Sequence, residues 1–384
     1  MFIIVRDDTA SMVTININYG YVSVNTEEEC IVSMNTTIRK FYNGRKVFVT
    51  GHNGFKGSWM CRILADVGAE VCGFSLPCEK DSAFRLMNLN AITSIEGDVG
   101  NTDSLSSAVL SFEPEVVIHM AAQPLVLESY RDPVLTYRTN VMGTVNILEA
   151  VRRCDSVISA VNVTTDKVYR NMEKVEGYRE KEVLDGHDPY SNSKSCSELV
   201  TASYKRSFPE CKKIPISTCR AGNVIGGGDR AKDRIIPDCV RSAERNEPII
   251  LRNPNSVRPY QHVLEPVCAY LLLAAEQASD TKVSGCYNIG PDEEGAVTTQ
   301  RLAQLFCDNW PGISWKAEGK IDKPHEAGIL RLNCEKFKDA FGWTPRWRIE
   351  EAVKRTVEWY IAENEGKDTA ALTSEQIHDY LNVK

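Results

Sequence analysis

Two short stretches hold side chains whose types and spacing can do chemistry. In Tyr190-Ser191-Asn192-Ser193-Lys194 a phenol and an ammonium stand one helical turn apart and project from the same face. A lysine cation there would stabilise a phenolate and lower its pKa, so that Tyr190 can take the proton of an alcohol as hydride leaves the carbon. Spacing alone says little, since it recurs at Tyr42 and Lys46, where the lysine opens a strand. What lifts Tyr190 is its place, at the start of a helix that follows a strand. The second stretch reads Val163-Thr164-Thr165-Asp166-Lys167-Val168-Tyr169. Thr165 fits a hydroxyl that orients the reacting alcohol. Alcohol oxidation needs no more than that, so an acid and an amine beside it ask for a further proton transfer. A protonated Asp166 can deliver a proton to a departing hydroxyl, and a neutral Lys167 can remove one from a carbon beside a carbonyl. Acting together they would perform an elimination. The plainer alternative is a solvated ion pair at a loop end. Adjacent residues of an extended strand face opposite ways, so both reach one substrate only where the strand ends or twists.

Elements that position these residues follow from periodicity. Strands are predicted at Lys46–Thr50, Glu70–Phe74, Ser94–Glu96, Val116–Met120, Val157–Val163 and Ile216–Arg220. Amphipathic helical stretches lie between them at Gly57–Gly68, Asp103–Phe112, Asp132–Cys154 and Pro189–Phe208. That alternation predicts a doubly wound parallel sheet of right-handed βαβ units. Beyond Arg220 come glycine-rich loops, proline-bearing turns and helices near Glu265–Gln277, Thr298–Asp308 and Glu350–Ala362, read as a smaller lobe over the carboxyl ends of the strands. The expected organisation is an extension over 1–43 with no legible repeats, a dinucleotide-binding domain over 44–220, and a substrate lobe over 221–384 whose segment 262–290 returns to the first domain. Between the first strand and first helix stands Gly51-His52-Asn53-Gly54-Phe55-Lys56-Gly57. In that context Gly51 permits the tight turn, Gly54 lets backbone approach a pyrophosphate, and Gly57 lets the helix pack close. A glycine-rich turn with no ligand is the alternative. After the second strand, Phe74-Ser75 offers neither an acid for a ribose nor an arginine for a 2′-phosphate, so NAD and NADP are not separated there. Asp98, followed by Val99, is placed to meet an adenine, and Ala121-Ala122-Gln123 to line the cofactor.

Bulk properties exclude several classes. A chain of 384 residues, 42% hydrophobic and 25% charged, has the composition of a globular protein, and its net charge of −7 provides no field for nucleic acid or anionic lipid. Thirteen cysteines, an odd number without a Cys-x-x-Cys pair, read as reduced thiols rather than a disulfide framework or metal site. The start, MFIIVRDD, lacks the apolar run of a signal peptide, so a cytoplasmic location is expected.

From about Asn43 to Tyr360 the chain resembles the extended short-chain dehydrogenase/reductases and, among them, the CDP-glucose 4,6-dehydratases. The strings that carry this are VTGHNGFKGSW, HMAAQPLV, VNVTTDKVY, GHDPYSNSKSCSELV, AGNVIGGGD, RNPNSVRPYQHVLEP, YNIGP and HEAGILRLNCEKFKDAFGWTPRW. The Thr-Asp-Lys triplet is the most informative, because the related dTDP-glucose enzymes carry Thr-Asp-Glu there and epimerases carry neither partner. The resemblance implies a Rossmann sheet and a lyase that holds NAD, with Gly51, Asn53, Gly54, Phe55, Gly57, Asp98, Val99, Ala121, Ala122, Gln123, Tyr190 and Lys194 along the cofactor. It implies that Tyr190 deprotonates the glucose 4-hydroxyl as hydride passes from C4 to NAD, that Lys167 then removes the C5 proton while Asp166 protonates the departing 6-hydroxyl, and that hydride returns to C6. It gives Asn140 a part in holding the active-site helix, a place a purely structural asparagine would fill equally. Asn223 and Arg258, and less strongly Arg234, Gln261 and Glu326, match contacts to the nucleotide sugar, with surface salt bridges the alternative for Arg234 and Glu326. It also implies a homodimer through Asp132–Cys154 and Pro189–Phe208, a small-molecule substrate, and no nucleic-acid or membrane partner. Alternatives are a nucleotide-sugar epimerase, a dehydratase for a dTDP- or GDP-linked sugar, or a regulator that binds the dinucleotide without turnover. Departures from the family pattern are Arg230 and Tyr260 in place of tryptophans, Val168 in place of a cysteine, and residues 1–33, beyond which Met34 would make a natural initiator.

Overall fold

Alternation along the strands builds two faces. Val47 and Val49 join one buried cluster while Phe48 joins another; Val116 and Ile118 oppose Val117, and Val161 and Val163 oppose Ala160, in the same way. The computed structural model describes residues 16–18, 21–23, 27–292, 295–317 and 330–382. In chain order the strands that build the site are β1 (Lys46–Thr50), β2 (Glu70–Ser75), β3 (Thr93–Glu96), β4 (Val116–His119), β5 (Ser159–Thr165), β6 (Ile216–Ala221), β7 (Asn223–Ile225), β8 (Val257–His262), β9 (Cys286–Ile289) and β10 (Ala296–Thr298). Seven form an all-parallel sheet in the order β9-β6-β5-β4-β1-β2-β3, so the crossover direction reverses between β1 and β4. Such a reversal leaves a crevice at the carboxyl ends of β1 and β4, where open α/β sheets bind ligands. A three-stranded sheet, β10-β8-β7, stands beside it.

Helices cover both faces. One cluster takes α2 (Phe55–Asp66), α6 (Leu264–Ser279) and α7 (Ile349–Asn364); the other takes α3 (Thr102–Phe112) and α4 (Gly143–Arg152), with α5 (Pro189–Ser207) packed against it through Val200 and Tyr204. The doubly wound sheet is thus as expected. Three boundaries differ. β5 continues two residues past the predicted Val163, which carries Thr165 to its end. The stretch Asp132–Cys154 is not one regular helix: Pro133–Tyr137, a π-helical turn Arg138–Met142 and α4 follow one another. The extension read as lacking repeats contains helix α1 (Glu27–Tyr42), with Met34, Ile38 and Tyr42 buried one turn apart. Its apolar stripe is a single residue wide and flanked by Asn35, Thr36 and Thr37, so the period was hard to see. The Tyr42 hydroxyl donates to the Leu271 carbonyl at 2.9 Å and ties α1 to α6.

Candidate active site

Where β1 turns into α2, Gly51 takes φ +72° and packs so close to β4 that a side chain would lie 2.8 Å from the Ala121 nitrogen. Gly57 leaves no room either, since a Cβ would collide with the Gly51 carbonyl. Gly54 is different: its backbone is extended (φ −76°), and an added Cβ would meet nothing nearer than 3.4 Å. The fold itself therefore gives no reason for glycine at that position, whereas a ligand at the first turn of α2 does. That turn has no side-chain cap, so its N–H groups point outward as an anion cradle. The residues present fit a dinucleotide pyrophosphate. Asn53 donates to the Leu76 carbonyl at 2.7 Å and braces the loop against the end of β2, and Phe55 borders Gly226.

Other residues expected at the cofactor are divided between crevice and scaffold. Ala121 and Ala122 line the mouth after β4, and the Ala121 N–H donates to Thr50 Oγ1 at 3.2 Å. Asp98 accepts from the Gly100 N–H at 2.8 Å and from Arg138 at 3.2 Å, while Val99 is buried with its carbonyl bonded to Asn146. The Gln123 amide turns to Thr136 and the Leu125 carbonyl, at 2.8 and 3.1 Å. Asn140 accepts from the Gln123 N–H at 2.8 Å and donates to Ser193 Oγ at 2.8 Å, joining the crevice loop to the middle of the Tyr190–Lys194 turn. The π-helical turn places it there, and such turns recur at functional sites.

The reacting end is built by β5 and α5. β5 stops at Thr165, and Asp166–Val168 form one turn of 3₁₀-helix, so Asp166 and Lys167 are not on opposite faces of a strand. Thr165 Oγ1 donates to Asp166 Oδ1 at 2.9 Å, and Lys167 Nζ lies 3.6 Å from the same oxygen. Asp166 is fully buried, and its Oδ2 has no hydrogen-bond partner among the described residues. An unpaired buried carboxyl oxygen is costly unless something else is meant to meet it. Asp188 caps α5 by accepting from the Ser191 N–H at 2.9 Å, with Pro189 in the first turn, and this fixes Tyr190 one residue inside the helix. Burial pushes the Tyr190 phenol up; Lys167 and a hydrogen bond with Thr165 oppose it, Asp166 adds to it, and Arg234 opposes it. The cation that bears most on the phenol is thus Lys167, not Lys194 as helical spacing implied. Lys194 reaches past Tyr190 to β5, where its Nζ donates to the Val163 carbonyl at 3.1 Å. Burial, reinforced by Lys56 and opposed by Glu198, brings Lys194 down to about 7.

Lys56 went unnoticed in the sequence. Burial, with Arg234 close by, lowers it to about 8, against the pull of Asp166 and Asp229. The signal was a lysine in the first turn of α2, where the flanking glycines leave the side chain only the crevice to enter. Arg234 donates to Asp229 Oδ2 at 2.9 Å. Asn223 pairs in register with Tyr260, two residues from the buried Arg258, whose guanidinium donates to the Val257 carbonyl at 2.8 Å. Pro259 and Asp166 both border Gly222, so this strand edge adjoins the acid. Gln261 is buried, donates to the Ile289 carbonyl at 3.3 Å and leaves its Oε1 unpartnered among the described residues. Glu326 lies outside the described residues. Arg230 pairs with Glu363 and faces the Tyr360 ring, so this departure serves lobe packing. Val168 is fully buried against Tyr169 and Tyr178. Among the described residues no cluster of metal-ligating groups and no disulfide occurs, and no helix is long and apolar enough to cross a membrane.

Comparison with known proteins agrees with this architecture. Solved structures of a UDP-glucose 4-epimerase from Thermus thermophilus in complex with NAD (TM-score 0.71, 24% identity, 82% of this chain and 99% of that one) and of a dTDP-glucose 4,6-dehydratase from Bacillus anthracis in complex with NAD (TM-score 0.68, 22% identity, 85% and 100%) share the fold. The CDP-glucose 4,6-dehydratase of Salmonella typhimurium is 44% identical over 90% of this chain and 98% of its own length. The family model described as GDP-mannose 4,6 dehydratase matches residues 48–356, and the chain belongs to this family of nucleotide-sugar 4,6-dehydratases.

Proposed function

We propose that the chain dehydrates CDP-glucose to the 4-keto-6-deoxy sugar, using NAD that is restored within each turnover. The observation that carries the reading is the Thr165–Lys167 turn, which sets a buried acid and an amine against the phenol of Tyr190. The identity to the Salmonella enzyme supports the nucleotide. The Gly51–Gly57 loop would hold the cofactor pyrophosphate, with Asn53, Phe55, Ala121 and Ala122 beside it and Asp98, Val99 and Gln123 shaping the crevice. Bound there, NAD accepts hydride from C4 and supplies it to C6.

Tyr190 takes the proton of the 4-hydroxyl, which Thr165 holds in line. The ketone so formed acidifies the C5 proton, which Lys167 removes while Asp166 protonates the 6-hydroxyl; the hydroxyl leaves as water. Proton balance favours this pair. Carboxylate plus ammonium and carboxylic acid plus amine hold the same number of protons, so one transfer across the 3.6 Å gap arms the pair. Elimination then returns it to carboxylate and ammonium. Arg234 and Arg258 offer guanidinium forks for the substrate phosphates, with Asn223, Gln261 and Glu326 near the sugar nucleotide.

A homodimer is supported by exposed apolar residues on the helices that flank the site: Tyr130, Val134, Leu135, Met142 and Leu199. Unpaired, largely buried thiols support a reducing, cytoplasmic setting. The decisive experiment incubates protein and NAD with CDP-, dTDP-, UDP- and GDP-glucose and follows mass. Water loss from CDP-glucose at a kcat/KM about tenfold or more above the others is expected; no water loss from any of the four overturns the dehydratase, and isomerisation without mass change makes it an epimerase.

A further inference from the structure

Behind the Tyr190–Lys194 face lies a buried ion pair to which the proposed mechanism assigns no part. Glu198 stands four residues after Lys194 on α5, hence on the same face. Its carboxylate accepts from Arg220 Nε and Nη2 at 2.7 and 2.5 Å, from Thr164 Oγ1 at 2.6 Å and from Thr218 Oγ1 at 3.1 Å. Both members of the pair are 2% exposed in their side chains. Arg220 in turn donates to the Tyr169 hydroxyl at 2.6 Å, and that hydroxyl donates to Asn288 Oδ1 at 2.7 Å. Thr164 sits between Val163, whose carbonyl receives Lys194, and Thr165, which orients the acid. Tyr169 follows the Asp166–Val168 turn directly. One carboxylate is therefore bonded to the strand that ends in the elimination pair, and through Arg220 to the residue just after that pair, from the helix that carries the oxidation pair.

A buried ion pair is a poor source of net stability, because desolvation offsets the attraction and a well-packed apolar pair of similar volume often does as well or better. Specific placement is the better reason to keep one. We propose that Glu198, clamped by Arg220, is a positioning residue that counter-charges Lys194 and registers α5 against the Thr165–Lys167 turn. The groups facing Lys194 from its surroundings are Lys56 on α2, His119 at the end of β4, Tyr190 and Glu198 on α5. Among the charged members of that set Glu198 is the only anion. The inference rests on the reading of Tyr190 and Lys194 as the oxidation pair.

The test compares wild type with Glu198→Gln/Arg220→Met, which keeps bulk and removes both charges, and with Glu198→Asp, which keeps the charge. One readout is the pH dependence of C4 oxidation, and the other the ¹³Cε shift of Lys194 in cofactor-free protein, assigned with Lys194→Arg. The double variant should stay folded, with its Lys194 titration and the alkaline limb of oxidation both moved down by about one pH unit, a rate loss of about tenfold above that limb. Glu198→Asp should keep the limb in place even where kcat falls. If the double variant folds with an unmoved limb and an unmoved Lys194 shift, the inference is overturned, and a general rate loss without a limb shift marks a purely structural pair. Should wild type show no C4 oxidation, the oxidation reading fails, while the Lys194 titration still decides the role of Glu198.

Discussion

At the scale of single residues, the acid and the base are separable. Lys167→Ala leaves Tyr190, Thr165 and the cofactor loop in place, so C4 oxidation should persist while elimination falls by about 10² to 10⁴, the usual worth of a positioned general base. Quenched single turnovers should then accumulate the C4 ketone of the intact sugar, with solvent deuterium failing to enter at C5. Asp166→Asn should slow water loss more than C5 exchange, because the carboxyl group delivers the proton to the 6-hydroxyl. Equal slowing of both steps would make Asp166 an orienting group. This triplet was legible in the sequence because acid and amine types at a strand end already specify proton transfer. The direction of each side chain was not. An i,i+4 relation told that Tyr190 and Lys194 share a face, but where their ends go depends on what lies opposite: the Val163 carbonyl draws Lys194 inward and leaves Lys167 beside the phenol. Lys56 was invisible for the same reason, since its place next to Arg234 and Asp166 depends on three segments far apart in the chain.

At the scale of elements, period and punctuation did most of the work. Strands with strict in-and-out alternation, such as β1 and β4, were placed within a residue, and the Asp188-Pro189 cap fixed the start of α5. Elements whose form depends on partners were not legible. The π-helical turn at Arg138–Met142 has no local signal; its reason is Asn140, which spans Gln123 and Ser193. Helix α1 gains its stability from α6 and was missed by a criterion that looks for a broad stripe. The helices around that turn carry the clearest unspent feature, Val134 at 76% and Leu199 at 56% exposure on neighbouring elements. If they meet a second copy, Val134→Glu or Leu199→Glu loses the burial of one apolar side chain, about 1.5–3 kcal/mol, and adds the desolvation of a charge. Each should weaken association by about 30-fold or more and yield monomers by light scattering, with the thermal transition of the monomer otherwise intact. A wild-type chain that is monomeric at high concentration removes the homodimer.

Across the whole molecule, the smaller lobe must be held at a fixed distance from the sheet, because Arg234 and the β8 strand approach Asp166 from it. Glu265, in the first turn of α6, is one point of attachment. It is fully buried and accepts from the Arg346 and Trp347 N–H groups at 2.9 and 2.8 Å and from the Tyr380 hydroxyl at 2.7 Å, so it ties α8 (Thr369–Leu381) and the loop before α7 to the sheet. Burial pushes its carboxyl up to about 7, against the pull of those donors and of the Arg346 guanidinium. A carboxyl raised on folding favours the protonated native state. Its contribution is complete below the unfolded value near 4.5 and is lost as pH rises through the folded value near 7. Over that window the loss is on the order of 3 kcal/mol. Glu265→Gln does not titrate, so the stability difference between wild type and variant should move in the variant's favour from about pH 5 to about pH 8 and level off beyond. Denaturant unfolding of both proteins across that range measures it, and a difference that stays flat would show that Glu265 is ionised throughout, with its three donors outweighing the cost of burial. In that case the lobes would be joined by a permanent charge rather than by a group poised to release one, and the distance between Arg234 and Asp166 should not respond to pH through this contact.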